Sequence, residues 1–204
     1  MVIYHSTRGS KKTLSFDEVI LSGVADDKGL YLPDSVTLEN LSHLTQEDLS
    51  YEDFVKTIFI ALDKSSAKYV DELSLYSGFK GSPEPTLRDI DKTTVVMELF
   101  HGPTKSFKDY ALQPLGAIAN KRLDELGERG LVIVATSGDT GSAAIHAVKD
   151  SDNIDIVVLH PNNKISEYQR KQMTTVIQPN VLNIAVEGSY DDCQRIAKEL
   201  LSSN

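Results

Sequence analysis

Lys108 and the turn Thr136-Ser137-Gly138-Asp139-Thr140-Gly141 carry the residue types in this sequence that could do chemistry together. A neutral amine is a nucleophile toward carbonyls and a general base. A glycine-rich polar turn delivers backbone N–H groups and the hydroxyls of Thr136, Ser137 and Thr140 to one point, which suits a carboxylate or a phosphate. With Ser106 as N-cap and Asp109 at the third helical position, Lys108 falls in the first turn of a helix. An ammonium among unsatisfied N–H groups loses roughly a few tenths of a kcal/mol, which favours the neutral amine that a Schiff-base lysine needs. The alternative is a solvated lysine on a helix face, the ordinary state of this residue type. The turn is not a Walker loop. It lacks the closing Lys-Ser/Thr pair, and Asp139 would repel a polyphosphate.

The elements that must position these residues alternate in type. Val95 to Phe100 reads as a buried apolar strand, broken by His101, Gly102, Pro103 and Thr104. Leu131 to Ala135, Ile154 to Leu159 and Val181 to Val186 read as further short strands, with helical stretches beginning near Phe107, Gly141, Ser166 and Ser189. Strand and helix in alternation predict an α/β fold, a doubly wound parallel sheet covered on both faces. Ligands in such sheets bind at the carboxyl ends of the strands, where Lys108 and the Thr136–Gly141 turn both fall. Pro114 lies inside the first of these helices and is expected to kink it or reset its start. In the loop His160 to Ser166, Lys164 either faces an anionic substrate group or belongs to a plain strand-to-helix connection capped by Ser166 and Gln169. Cys193 has Asp191 and Asp192 beside it and no activating base.

The first segment, residues 1–89, reads as small and mainly helical, followed by the α/β part over 90–204. Ser15 and Glu18 form a capping-box pair, and Ser50 can cap a helix in which Tyr51, Phe54, Val55, Ile58, Phe59 and Leu62 mark one buried face. A further helical stretch is expected from Ala67 to Tyr76. Arg8 sits in a polar turn, either solvated or near the active cleft. His5, His43, His101, His146 and His160 are scattered without metal-ligand spacing, and His101, the one beside the proposed chemistry, reads as a structural hydrogen-bonding residue. Thirty acidic against 21 basic side chains give a net charge of −9, which disfavours nucleic acid and anionic membranes as partners. One cysteine permits no internal disulfide and, with no apolar run of membrane length and no signal-peptide core at the start, leads to the expectation of a cytoplasmic chain.

The strings ELFHGPTKSFKDY and ATSGDTGSAA together resemble the threonine synthase family, pyridoxal-phosphate enzymes of fold type II related to the tryptophan synthase β subunit. YHSTRG and SFDEVILSGVADDKGLYLP are similar to the amino-terminal segment of that family, and NIDIVVLHPNNKISEYQRKQM and NVLNIAVEGSYDDCQ to its continuation, so the resemblance covers essentially the whole sequence. It implies a carbon–oxygen lyase acting on a phosphorylated amino acid: O-phospho-L-homoserine and water give threonine and phosphate. It also implies pyridoxal 5'-phosphate bound by Lys108, with Phe107 and Asp139 beside it. Ser137, Gly138, Asp139, Thr140 and Gly141 match the loop that faces the substrate carboxylate. Relatives often carry asparagine at the position of Asp139, so its charge needs a donor or a cation to offset it. In the family the phosphate cup and the partner of the pyridine nitrogen lie beyond residue 204. Two alternatives follow: an amino-terminal portion inactive by itself, and a noncatalytic binding module. Either would leave an open sheet edge that favours self-association.

Overall fold

A computed structural model describes residues 2–35 and 49–201. The chain forms two compact units, Met1–Leu75 and Tyr76–Asn204, so by its contacts the stretch 76–89 belongs with the later unit rather than with the segment expected to end at residue 89.

In the first unit, β1 (Tyr4–Ser6) pairs antiparallel with β2 (Thr13–Leu14) and β3 (Tyr31–Pro33) in the order β2-β1-β3. The short α1 (Phe16–Val19) starts where expected, because the Ser15 amide and hydroxyl both donate to the Glu18 carboxylate at 2.8 Å. Phe16 packs between Tyr4 and Tyr69, with ring centroids 6.4 and 6.0 Å away. Burial, with the Asp63 carboxylate beside it, pushes the Tyr4 phenol up to about 12. Helix α2 (Tyr51–Leu62) has the expected bounds and the expected cap, Ser50 accepting from the Asp53 amide. The expected buried face is only half covered, however, and none of its apolar side chains is fully buried. Of the helix expected from Ala67 to Tyr76 only the short α3 (Ala67–Val70) forms, directly after a 3-10 turn (Lys64–Ser66).

The run from Val95 is not a buried member of the parallel sheet. It forms β5 (Val95–Glu98), which pairs antiparallel with β4 (Thr86–Asp89) in a separate hairpin largely open to solvent. The turn explains this. The Asp91 carboxylate accepts from the amide and hydroxyl of Thr93, at 2.8 and 3.0 Å, and the Ile90 amide reaches the Thr94 carbonyl, so the chain reverses immediately before Val95.

After α4 (Asp109–Leu126) come β6 (Gly130–Ala135), α5 (Asp139–Val148), β7 (Ile154–Pro161), α6 (Glu167–Thr174), β8 (Val181–Val186) and α7 (Tyr190–Leu201). The three strands form a parallel sheet in the order β6-β7-β8. Ile154, Ile156 and Val158 of the central strand pack with Leu123 of α4, Ala144, Ile145 and Val148 of α5, and Met173 of α6. On the opposite face Leu159 packs with Cys193 and Ala197 of α7. A central strand with period-two alternation and no polar face needs cover on both sides, and helices supply it. Cys193 is fully buried, and its thiol is pushed up by burial and by Asp192.

Helix α4 runs through Pro114 without ending there. Proline has no N–H to give to the carbonyl four residues earlier, that of Tyr110. The Tyr76 hydroxyl donates to this carbonyl at 3.0 Å, and the rings of Tyr76, Phe79 and Tyr110 pack around the site. The helix closes at Gly127, whose φ of +65° allows the Glu128 amide to return to the Leu123 carbonyl at 3.0 Å.

Candidate active site

The lysine loop is held from within. Tight turns, with the Lys105 amide on the Gly102 carbonyl and the Asp109 amide on the Ser106 carbonyl, delay the start of α4 to Asp109. Lys108 is therefore the N-cap residue itself, and Ser106, expected in that position, lies two residues earlier and accepts from the Lys108 amide at 3.3 Å. Asp109 does not face the helix end from its third position as expected. It is the first helical residue, fully buried, and its carboxylate accepts from the Thr104 amide at 2.9 Å and the Thr104 hydroxyl at 2.8 Å. Burial pushes this carboxyl up, against the opposing pull of the Thr104 hydrogen bonds and of His146. A side chain at Gly102 would collide with that carboxylate, which explains the glycine.

The Lys108 amine lies 4.6 Å above the centre of the Phe107 ring, and Phe107 is 61% exposed. Among the described residues the amine has no carboxylate partner and no hydrogen bond. A protein-bound aldehyde cofactor needs an amine not tied up in an ion pair, and this one fits.

The glycine-rich turn closes on itself. The Thr136 hydroxyl is buried and accepts from the amides of Gly138 and Gly141, both at 2.9 Å. It is thus a structural centre of the turn and is not presented to a ligand as expected. Gly138, with φ of +141°, leads into α5, and a Cβ there would run into the Gln169 carboxamide. Gly141 is wedged against Thr136, Val158 and Met173. What remains for a ligand is the start of α5: the amides of Ser137, Asp139 and Thr140, which have no hydrogen bond among the described residues, and the hydroxyls of Ser137 and Thr140.

Two glutamines on α6, not singled out from the sequence as site residues, bind both loops. Gln169 Nε2 donates to Asp139 Oδ1 at 2.6 Å and Gln172 Nε2 donates to the Thr104 carbonyl at 2.7 Å. Their spacing of three residues places them on one helix face, the signal that was present in the sequence. Gln169 is the donor that the charge of Asp139 was expected to require.

The remaining candidates make other contacts. The Lys164 ammonium donates to the Gly188 carbonyl at 2.9 Å. His101 Nε2 lies 3.3 Å from the Thr86 hydroxyl, a contact that steadies the hairpin. Arg8 belongs to the first unit, where its amide donates to the Ser6 hydroxyl. His43 lies outside the described residues. Among the described residues no cluster of His, Cys, Asp or Glu could hold a metal ion, and no helix is long and apolar enough to cross a membrane.

Comparison with known proteins matches residues 3–69 to the family model "Threonine synthase N terminus". The threonine synthase of Pseudomonas aeruginosa is 43% identical over 96% of this chain, which covers 43% of that protein, and the mouse "Threonine synthase-like 2" is 35% identical over 98% of this chain and covers 42% of its length. A crystal structure of a pyridoxal-phosphate-bound threonine synthase from Brucella melitensis superposes with a TM-score of 0.86 at 36% identity, over 100% of this chain and 45% of that one. The yeast threonine synthase gives 0.84 at 32% identity, over 99% and 44%. The chain thus spans less than half the length of the relatives it matches. Over essentially its whole length the chain is similar to the amino-terminal portion of threonine synthases.

Proposed function

We propose that this chain supplies the reactive amine and the substrate-facing turn of a threonine synthase-type lyase, which converts O-phospho-L-homoserine and water to threonine and phosphate. The observation that carries this reading is the uncommitted Lys108 amine at the start of α4, in a loop tied through Gln172 to the same helix that holds Asp139. Lys108 would hold pyridoxal 5'-phosphate, with Phe107 and Asp139 at its side. Bound there, the cofactor supplies the electron sink that makes proton loss from the substrate Cα and Cβ accessible. The Lys108 amine is the base and acid at those carbons, while phosphate leaves from Cγ and water adds at Cβ. The amides of Ser137, Asp139 and Thr140, at the positive end of α5 and with two hydroxyls among them, hold the substrate carboxylate. Gly138 and Gly141 keep the turn narrow enough for that approach. Lys164 reaches the substrate only by exchanging the Gly188 carbonyl for it.

The test is direct. After incubation with pyridoxal phosphate and reduction with borohydride, mass spectrometry should find the modification on Lys108; a label elsewhere, or none, overturns the reading.

A second reading is favoured by one observation, that the matched relatives are more than twice as long. In it these residues bind the cofactor without turning substrate over, the remaining strands of a doubly wound sheet and the phosphate cup being supplied by further sequence, and the open edges of β6 and β8 lead to self-association. Labelled Lys108 with no phosphate released from O-phospho-L-homoserine identifies this case. A cytoplasmic setting and a phosphorylated amino acid as ligand go with both readings; nucleic acid does not.

A further inference from the structure

We propose that Gln169 is a positioning residue for the Ser137–Gly141 turn: it draws the Asp139 carboxylate toward α6 and so keeps that charge off the amides that receive the substrate's anionic group. This rests on the reading of the turn as a carboxylate site given above. Asp139 is the first residue of α5, so its carboxylate is close to the same unsatisfied N–H groups that an incoming anion needs. Left free, it would bind them itself or repel the ligand. Gln169 removes the conflict with a 2.6 Å hydrogen bond from Nε2 to Asp139 Oδ1.

The orientation of that amide is set as well. The Ser166 hydroxyl donates to Gln169 Oε1 at 2.8 Å and accepts from the Gln169 backbone amide at 3.2 Å, so the nitrogen end points at Asp139. The helix cap of α6 is therefore also the support of the neighbouring turn. Gly138 completes the arrangement. The carboxamide occupies the space that a Cβ at Gly138 would need, so Gln169 lies directly against the backbone of the turn.

The experiment is a charge-swap cycle on this chain, read by NMR at the amides of Ser137, Asp139 and Thr140 during titration with L-homoserine, the substrate's amino acid without its phosphate. In Q169E two carboxylates oppose each other, and affinity should fall about tenfold. Adding D139N to Q169E should return it to within about threefold of the starting value, a rescue that a purely structural role of Gln169 would not produce. If Q169E does not fold, Q169N, too short to reach Asp139, replaces it in the same comparison. Affinity within about twofold of the unaltered chain in the single variant, no rescue in a folded double variant, or no shifts at the three amides in the unaltered chain would each overturn the proposal. None of these readouts needs the cofactor. An unlabelled Lys108 alongside a working cycle would remove the lyase reading alone, and a labelled Lys108 without rescue would remove the role of Gln169 alone.

Discussion

Asp109 shows how a single side chain holds the loop that carries Lys108. Its two oxygens satisfy the buried amide and hydroxyl of Thr104, and its bulk excludes any side chain at Gly102. D109A would leave that buried amide without an acceptor, at a cost of about 2 kcal/mol. A lower urea midpoint together with weaker labelling of Lys108 is expected; an unchanged midpoint would mean that the loop is held by other contacts. His146 gives a pH dependence. Burial holds its imidazole below the usual histidine range and Lys149 adds to this, while Asp109 and Asp150 pull the other way. Because the folded value is the lower one, the unfolded chain binds more protons as pH drops below about 6.5, and stability is lost on acidification toward the folded value. Asp109, raised by burial, works in the opposite sense. Urea midpoints at neutral and mildly acidic pH should therefore fall further for the unaltered chain than for H146Q, and equal falls would count against a buried neutral imidazole.

Helix α4 is where an element depends on a partner that its own sequence does not announce. Pro114 leaves the Tyr110 carbonyl without its helical donor, and the Tyr76 hydroxyl takes that place. Y76F removes the hydroxyl and should cost about 1 kcal/mol, whereas in a P114A background, where the backbone donor returns, the same change should cost almost nothing. Equal costs in the two backgrounds, measured by denaturant unfolding, would refute the compensation. From the sequence Pro114 is expected to kink the helix or reset its start, because propensity is local and the Tyr76 contact is not. The same reason separates the legible from the hidden elsewhere. Strands β6, β7 and β8, the cap at Ser50 and the Ser15–Glu18 pair were readable, since alternation and capping act over a few residues. The pairing of strand β5 was not, because an apolar run does not say which neighbour it pairs with, and the deciding Asp91–Thr93 turn looked like a domain border. Around the candidate site, the helix start at Lys108 and the tight turn before α5 were legible from residue type. The inward use of the Thr136 hydroxyl and the two glutamines of α6 were not, because both depend on how separate loops meet.

For the whole molecule the central question is what the parallel sheet does with its edges. β7 is paired on both sides, but β6 and β8 each have one side without a strand among the described residues, and Leu131 and Leu182 there are 57% and 54% exposed. The hairpin of β4 and β5 adds Leu87, Val96 and Met97 to the apolar surface. Unpaired N–H and C=O groups next to exposed apolar side chains are a template for another strand, and a net charge of −9 opposes association only over the Debye length. We expect the 22.5 kDa chain to associate with itself as its concentration rises, and more strongly in high salt, which screens the repulsion and leaves the apolar contact intact. Light scattering should show the mass increase, and L131K with L182K should suppress it by placing a charge on each edge. A mass that stays at the monomer value across concentration and salt would mean that the edges are closed by the chain's own side chains, and the reading in which further sequence completes the sheet would lose its physical motive.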